Sequence, residues 1–456
     1  MSLPRYDKYK DSGVEWLGEV PEHWNVLRLR FVSDINPSKL EVSHVDRDTL
    51  VSFLPMEAIG NDGSLDLERE KAIREVETGY TFFRNGDVAI AKITPCFENG
   101  KGALMMGLKN DIGFGTTELI VARPKKHRTT GTYLYRIFRS EPFMRLVEAV
   151  MYGAGGQKRV PDSFVSNFAI GLPQIEEQSA IAAFLDRETC KIDALVEEQQ
   201  RLIELLKEKR QAVISHAVTK GLNPDVPMKD SGIEWLGEMP MHWAVKRTKY
   251  AIRKLEQGWS PQCENFPAED GEWAVLKVGC VNGGNFNPDE NKALPTELTA
   301  IPELGIHAGD VLISRANTRE LAGSAAVAKS DYPRLLLCDK LYRLHLRDEM
   351  CLPEYLTMFL GTPSARGEIE LSATGASSSM VNIGQATIRE MPLPLPPLEE
   401  QERIATFITE ETGKTNQLVA EATHAIDLLK ERRTALISAA VTGKIDVRGL
   451  AAEDAA

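Results

Sequence analysis

The hydrophobic pattern of the chain is dominated by two long segments in which apolar residues recur every seven positions. In the first segment the row consists, in order, of Leu185, Ile192, the polar Gln199, Leu206 and Val213, with Leu195 and Leu202 as a companion row. Pro173 precedes the segment, Gly221 follows it, and neither residue type occurs between them. This spacing and punctuation predict one helix over residues 175–218, roughly 65 Å long.

The second segment, residues 398–442, has a weaker row of apolar and small residues. This row consists of Ile408, Thr415, Ala422, Leu429 and Leu436, with Leu418 and Ala425 opposite. Gly413 interrupts the segment near its start and is expected to soften the helix there. Neither helix can bury its stripe alone, so we expect the two helices to pack on each other and to leave polar faces for other subunits.

These helices belong to an internal repeat. Residues 10–24, KDSGVEWLGEVPEHW, match residues 229–243, KDSGIEWLGEMPMHW, at 12 of 15 positions. Residues 172–219 match residues 395–442 at 26 of 48 positions. The regions between the matched segments share little. Because neutral drift would erode both parts alike, the pattern indicates two modules that do one kind of work on two different targets.

The divergent regions, residues 25–171 and 244–394, are predicted to be mixed α/β. Each contains a short apolar strand after a Gly-Asp turn, and each strand ends in a basic residue followed by a polar loop. A second loop, rich in glycine or serine, lies near the end of each region, at residues 153–159 and 375–382. Polar and basic side chains on such loops are the groups that read base edges or hold phosphates.

The net charge of the chain is weaker evidence against DNA binding than its total suggests. The chain has 456 residues, of which 43% are apolar, and this is enough for two or three domains. A net charge of −12 argues, taken alone, against a general nucleic-acid binder. However, residues 174–219 carry nine acids and six bases, and residues 398–442 carry eight acids and five bases, so half of the excess lies on the helices. We therefore expect weak, salt-sensitive DNA binding by the chain alone.

Several chemistries are missing from the sequence. It has no apolar run of about 18 residues, no signal-peptide core, and six scattered cysteines that suit reduced thiols in a cytosol. It also lacks the Asn-Pro-Pro-aromatic loop of an amino-methyltransferase, a phosphate loop, a zinc spacing and a triad context. Asp289, Glu290 and Lys292 resemble fragments of a nuclease site, but the two carboxylates are adjacent. The sequence favours a non-catalytic recognition protein, with a coiled-coil adaptor and a single-chain nuclease as alternatives.

The repeated patterns KDSG[VI]EWLGE-x-P-x-HW and LP-x-[IL]-EEQ resemble the specificity subunits of type I restriction-modification systems, and the resemblance covers essentially the whole chain. It implies two α/β (mixed α+β) target recognition domains in pseudo-twofold repeat, joined by two long antiparallel coiled-coil helices. The implied boundaries are 1–172 for recognition domain 1, 173–221 for conserved helix 1, 222–394 for recognition domain 2, 395–447 for conserved helix 2 and 448–456 for a flexible C-terminal tail.

The same resemblance implies a function and partners. Each domain would read one half of a bipartite, asymmetric double-stranded DNA site, and the helix pair would set the spacer between the halves. Two methyltransferase subunits would supply the S-adenosylmethionine chemistry, and restriction subunits would bring ATP and Mg²⁺. The chain itself would bind no cofactor, metal, membrane or small-molecule substrate, and would work in a bacterial or archaeal cytoplasm. The stretches Trp16–Trp24 and Trp235–Trp243 would tie each domain to the helices and to a partner subunit.

On this reading we predict two sets of site residues. The predicted DNA contacts are Lys92, Thr94, Gly155, Gly156, Gln157, Lys158 and Arg159 in the first domain, and Arg315, Asn317, Thr318, Arg319, Ser378 and Asn382 in the second. The predicted helix-packing residues are Leu185, Ile192, Leu195, Leu202, Leu206, Val213, Ile408, Leu418, Leu429 and Leu436.

Overall fold

The structure, a computed structural model, describes residues 3–153, 156–377 and 380–450, without the side chains of residues 375–377. The chain divides into two compact units. Unit 1 comprises Met1–Gln200 and His424–Ala456, and unit 2 comprises Arg201–Thr423. Each long helix therefore contributes one half to each unit. No helix among the described residues combines the length and the apolar character needed to cross a membrane.

Unit 1 contains mixed sheets with short helices beside them. Its strands are β1 Tyr9–Asp11, β2 Glu19–Pro21, β3 Asn25–Arg28, β4 Ser33–Ile35, β5 Leu50–Leu54, β6 Glu70–Ala72, β7 Thr81–Arg84, β8 Val88–Ala91, β9 Gly102–Leu104, β10 Ile112–Gly115, β11 Leu119–Pro124 and β12 Ala169–Leu172. Its helices are α1 Leu29–Val32, α2 Ile73–Val76, α3 Gly131–Phe138, α4 Glu141–Val150, α5 Asp162–Asn167 and the long α6 Ile175–Lys220, with 3-10 turns at Lys39–Val42, Met56–Ala58 and Lys109–Asp111.

The strands of unit 1 form two four-stranded sheets within the described part of the chain. One has the order β6-β5-β10-β7, in which β10 runs parallel to β5, and the other has the order β4-β11-β8-β9. The antiparallel pairs β1-β2 and β3-β12 lie outside these sheets.

Unit 2 repeats this plan with different lengths. Its strands are β13 Met228–Asp230, β14 Glu238–Pro240, β15 Ala244–Arg247, β16 Ile252–Gln257, β17 Ala274–Leu276, β18 Asn291–Ala293, β19 Gly305–Ile306, β20 Val311–Ser314, β21 Ala316–Asn317, β22 Ala325–Val327, β23 Tyr332–Leu336, β24 Leu341–Leu346, β25 Thr374–Ser377, β26 Met380–Asn382 and β27 Pro392–Leu395. Its helices are α7 Pro353–Leu360, α8 Pro363–Ser372, α9 Gln385–Arg389 and the long α10 Leu398–Val441, with 3-10 turns at Thr248–Tyr250, Val278–Gly284 and Pro302–Leu304.

The strands of unit 2 also form two four-stranded sheets, β16-β24-β20-β22 and β18-β17-β23-β19, within the residues described. β17 runs parallel to β23. A three-stranded ribbon, β21-β26-β25, and the pairs β13-β14 and β15-β27 complete the described strands. The predicted strands after the Gly-Asp turns are confirmed as β8 and β20. Gly86 and Gly309 begin these turns with φ of +87°, a conformation that glycine adopts at no steric cost.

The long helices run antiparallel within each unit. In unit 1, Leu185 from the first half of α6 shares a buried apolar core with Val441 from the end of α10. In unit 2, Val218 from the end of α6 shares a core with Ile408 from the start of α10. The predicted fold class, two mixed α/β domains with a pair of long antiparallel helices, is confirmed.

The buried positions of the two long helices show that one of the predicted rows of packing residues was wrong. Along α6 the buried and half-buried positions include Leu185, Thr189, Ile192, Val196, Gln199, Ile203, Leu206, Arg210 and Val213. Along α10 they include Ile408, Thr415, Val419, Ala422, Ile426, Leu429 and Leu436. The predicted companions Leu195, Leu202 and Leu418 are instead 45%, 42% and 49% exposed.

The companion row therefore lies one residue later, at Val196, Ile203 and Val419. A heptad pattern accepts a second row either three or four residues after the first, and the position of the packed neighbour decides between them. The exposed Leu195 and Leu202 form a separate apolar stripe on α6, which also includes Leu205 at 53% exposure.

The chain beyond α10 packs into unit 1. The side chain of Val447 is buried, and the backbone N–H of Asp446 donates to the carbonyl of Pro4 at 2.8 Å. Of the predicted tail, Arg448 stacks its guanidinium over the ring of Tyr6 at 4.9 Å, and Leu450 accepts a hydrogen bond through its carbonyl. Residues 451–456 of that tail lie outside the described residues.

Candidate nucleic-acid interface

A buried carboxylate near the start of α6 joins the two repeated motifs. The Glu177 side chain, 8% exposed, accepts hydrogen bonds from Tyr6 Oη at 2.7 Å and from His23 Nε2 at 2.8 Å. The indole nitrogen of Trp24 donates to the same carboxylate at 3.1 Å. Burial and the bond to Glu177 raise the pKa of Tyr6, so its phenol remains a donor. The second glutamate of Glu-Glu-Gln thus binds the His-Trp pair of the other motif.

Unit 2 repeats this contact in a weaker form. His242 Nε2 lies 2.8 Å from Glu400 Oε2, as in unit 1. The indole nitrogen of Trp243, however, is buried and has no hydrogen-bond partner in the part of the chain that the structure describes. The repeated motif therefore builds the same joint twice, with fewer satisfied groups in unit 2.

The glutamine that follows completes the joint. Gln178 and Gln401 are fully buried, and each amide satisfies groups of the preceding domain. The partners are Thr129, Thr130, Arg128 and Pro173 for Gln178, and Leu352, Met350 and Pro396 for Gln401. Because buried amides need all their partners, these contacts hold each domain at a defined place on its helix.

A matched pair of tyrosines adds a further link that the sequence analysis missed. Tyr133 Oη donates to the carbonyl of Gly171 at 2.9 Å, and Tyr355 Oη donates to the carbonyl of Pro394 at 2.8 Å. Both side chains are fully buried, and burial raises the pKa of both phenols. The signal that could have found them is their separation of 222 residues, close to the offset of the repeat.

The structure brings the described part of the first predicted contact set together. Ile93 pairs antiparallel with Arg159, which also pairs with Tyr152. The Thr94 hydroxyl donates to the carbonyl of Gly156 at 2.8 Å and accepts from the backbone N–H of Lys158 at 2.9 Å. Thr94 is 8% exposed and so anchors the loop.

The side chains of this loop differ in their exposure and in whether they are paired. Gln157 and Lys158 are exposed, whereas Lys92 is half-buried. Arg159 donates to both carboxylate oxygens of Glu118, at 3.0 and 2.9 Å, and its hydrogen bond and charge lower the pKa of Glu118. Gly155 lies outside the described residues.

The second predicted set has the same arrangement. β21 pairs with β26, so that Ala316 faces Asn382, and Asn382 also faces Thr374 of β25. The backbone N–H of Ile383 donates to the carbonyl of Arg315 at 2.9 Å. In unit 1 the backbone N–H of Val160 donates to the carbonyl of Lys92 in the same way, at 2.8 Å. The backbone pairing of residues 92–94 with 158–160 in unit 1 therefore matches that of residues 315–317 with 381–383 in unit 2, at an offset of 223 residues.

The remaining predicted contacts of unit 2 lie around this ribbon. Asn317 Nδ2 donates to Asn282 Oδ1 at 3.3 Å, and Arg319 Nη1 donates to the carbonyl of Glu370 at 3.2 Å. Thr318 is exposed. Ser378 lies outside the described residues.

The residues of the nuclease alternative lie on and beside β18. Asp289 is exposed, and Glu290 and Lys292 are half-buried. Among the described residues, no group of three or more His, Cys, Asp or Glu side chains is arranged to hold a metal ion.

Comparison with known proteins decides the family. The chain is 30% identical to the type I restriction enzyme EcoEI specificity subunit of Escherichia coli over 467 aligned residues. The alignment covers 86% of this chain and 78% of that protein. The chain belongs to the specificity subunits of type I restriction enzymes. This specificity subunit is also 45% identical over 189 residues to the EcoAI specificity subunit of Escherichia coli, across 41% of this chain and 31% of the relative. The family described as the type I restriction modification DNA specificity domain matches its residues 266–426.

Solved structures agree on the fold of the specificity subunit. A chain from work on complex assembly and conformational transition of the type I restriction-modification system superposes with a TM-score of 0.68 at 21% identity, over 92% of this chain and 98% of that one. The HsdS subunit from Thermoanaerobacter tengcongensis gives a TM-score of 0.57 at 19% identity, over 93% and 98%. By its similarity to the EcoEI subunit and its match to the DNA specificity domain, this chain is the DNA-recognition component of a type I restriction-modification system.

Proposed function

We propose that this specificity subunit reads a bipartite, asymmetric double-stranded DNA sequence, one half with each domain. The observation that carries the proposal is the matched backbone pairing of the predicted contact loops in the two units. The same backbone pairing presents Lys92, Thr94 and Arg159 in unit 1 but Arg315, Asn317 and Asn382 at the matched positions of unit 2. Equal geometry with different polar side chains is what two readers of two different half-sites need, because base edges differ in their donors and acceptors.

The long helices have a different task in this proposal. The buried seam holds each half of α6 to a half of α10, and the length of the pair sets the number of unread base pairs between the half-sites. The exposed stripe of Leu195, Leu202 and Leu205 is available for two methyltransferase subunits, because contiguous exposed apolar side chains mark interaction surfaces.

The chemistry of the complex belongs to its other subunits. We propose that the methyltransferase subunits bind S-adenosylmethionine and methylate adenine, and that restriction subunits bind ATP and Mg²⁺. The specificity subunit contributes recognition and assembly and performs no catalysis of its own.

A domain exchange tests the proposal. Residues 25–171 are replaced by the corresponding region of another family member, and the joints at Glu177 and Gln178 are kept. The hybrid is combined with the methyltransferase subunits, and the methylated sequence is read by sequencing modified adenines in genomic DNA. We expect one half-site to change while the other half-site and the spacer remain.

The matched control exchanges residues 244–394 instead, which should change the other half-site. An unchanged methylated sequence in both hybrids would exclude base reading by these domains and would favour the adaptor alternative.

A further inference from the structure

A cavity within unit 2 has more cations than anions in its lining. It has a volume of about 530 Å³ and lies between α7, the 278–284 turn and the parts of α6 and α10 that belong to this unit. Its charged lining consists of Lys207, Arg210, Lys329, Arg366 and one carboxylate, Glu354. Cavities of this size hold small ligands.

Most of these cations lack a counter-charge. Arg210 Nε and Arg366 Nη1 are buried and have no hydrogen-bond partner among the described residues. Within the same residues no carboxylate lies at ion-pair distance from Arg210, Lys329 or Arg366. Burial lowers the pKa of Arg366, and the nearby charge of Glu370 offsets this only in part. Charges without a counter-charge beside a cavity cost free energy, so these arginines favour an anion in the cavity.

The matched positions in unit 1 show how the same helices look when these charges are neutralised. Arg433 corresponds to Arg210 at the offset of 223, and its Nε donates to Asp193 Oδ1 at 2.9 Å. The residue of α10 that corresponds to Asp193 is Asn416, which carries no charge. Unit 2 has therefore kept the arginine and lost its carboxylate.

A second ion pair of unit 1 is absent as a whole from unit 2. In unit 1 Arg136 forms an ion pair with Asp186 on α6. The corresponding residues of unit 2 are Met358 and Thr409, and both line the cavity. This ion pair of unit 1 is thus replaced by two uncharged side chains in unit 2, which changes the shape of this place but not its net charge.

From this cavity, its two arginines without a counter-charge and the carboxylate that is missing beside Arg210, we propose that unit 2 contains a binding site for a phosphate group. A guanidinium presents its N–H donors in the planar fork that phosphate oxygens accept. Phe286 and Ile214 supply an apolar wall beside the charged lining. The phosphate belongs either to a small organic phosphate or to the DNA backbone, and only the second source rests on the proposed function.

Inorganic pyrophosphate is the probe for the test. Its binding to the full chain is measured by isothermal titration calorimetry at low salt, and we expect saturation at one pyrophosphate per chain. Arg210→Gln and Arg366→Gln should each weaken this binding about tenfold, since each removes a charge-assisted donor. Arg433→Gln is the matched control and should leave it unchanged, as should Lys158→Ala in the predicted DNA loop.

A second pair of variants keeps the arginines in place. Thr409→Asp restores the carboxylate that unit 1 has and should abolish pyrophosphate binding, whereas Thr409→Asn, of similar size but neutral, should retain it. Circular dichroism melts verify that each variant is folded. Absence of saturable binding by the wild-type chain, or wild-type affinity in Arg210→Gln, Arg366→Gln and Thr409→Asp, overturns the proposal.

Competition identifies the source of the phosphate. Displacement of pyrophosphate by a duplex that contains the methylated sequence assigns the site to the DNA backbone, and retention in its presence assigns it to a small organic phosphate. The domain exchange measures the methylated sequence and does not depend on pyrophosphate, so each proposal can fail without the other.

Discussion

The indole nitrogen of Trp24 donates to the carboxylate of Glu177 across 3.1 Å, and this bond connects the first repeated motif to the start of α6. In unit 2 the matched Trp243 is equally buried, but its nitrogen has no partner among the described residues. The two halves of the repeat therefore share a joint but not its energetics.

Substitution of the two tryptophans should reveal this difference. Trp24→Phe loses volume and a hydrogen bond to a charged group, whereas Trp243→Phe loses volume and removes an unsatisfied donor. We expect Trp24→Phe to lower the free energy of unfolding by about 1–3 kcal/mol more than Trp243→Phe does. Urea unfolding followed by circular dichroism measures both, and equal losses would contradict the assigned bond.

Acid should weaken the sheet of unit 2 that contains β16 and β24. Burial alone would raise the pKa of Glu256, but hydrogen bonds from Lys254 and His345 and the charge of Arg343 outweigh it and hold the pKa at about 2, below its ordinary value of 4.5. A depressed folded-state pKa stabilises the fold above pH 4.5, and this contribution is lost as pH falls from 4.5 towards 2.

The variant Glu256→Gln tests this dependence. We expect the wild-type chain to be more stable than the variant at pH 7, with the difference in free energy of unfolding shrinking below pH 4.5. Urea unfolding at a series of pH values from neutral to acid gives both curves. A difference that stays constant with pH would show that Glu256 titrates normally.

Substitutions in the two apolar rows of α6 should have different effects. A change in the buried row should lower stability, and a change in the exposed row should weaken assembly with the methyltransferase subunits. Leu206 is 9% exposed, so Leu206→Ala should cost about 2–3 kcal/mol of unfolding free energy. Leu202 is 42% exposed, so Leu202→Ala should change stability by less than about 0.5 kcal/mol. Co-purification with the methyltransferase subunits should decrease for Leu202→Ala, and undiminished co-purification of a variant with Leu195 and Leu202 both replaced by alanine would remove the stripe from the interface.

Lengthening the helix pair should lengthen the spacer. Seven residues inserted into α6 and into α10 at facing positions preserve the seam and add about 10 Å to each helix. This length corresponds to about three base pairs at 3.4 Å each. Sequencing of modified adenines reports the spacing between half-sites. A four-residue insertion into α6 alone serves as the control that breaks the seam, and an unchanged spacer after the seven-residue insertions would exclude the ruler.

The exposed Lys158 should contribute to DNA affinity, but it should not by itself determine which DNA sequence is bound. Lys158→Ala removes one cation, so we expect binding to the target duplex to weaken about threefold to tenfold and the salt slope to fall by about one. The control Lys414→Ala removes an exposed lysine that pairs with Glu411 on α10 and should change neither quantity. Fluorescence anisotropy at several salt concentrations measures both, and equal effects of the two variants would place Lys158 away from the DNA.

The ends of the long helices and the two-module plan could be predicted from the sequence because both depend on local or repeated information. Pro173 and Gly221 bracket α6 as helix punctuation requires, and the motif ending at Trp24 recurs at Trp243. The candidate loops were chosen for the same reason, because they recur at offsets of 222 and 223, and their backbone pairing is matched in the two units.

The sequence by itself determined the two long helices, the strands after the Gly-Asp turns, the repeat, the family and the first row of each helix seam, because these follow from spacing along the chain. Only the tertiary structure decided that Val196 rather than Leu195 is the less exposed position, since either choice satisfies a heptad. It also decided that Arg159 is paired with Glu118 while Arg210 is left unpaired beside a cavity. A side chain's partner lies far away in sequence, and packing in three dimensions sets which charges meet.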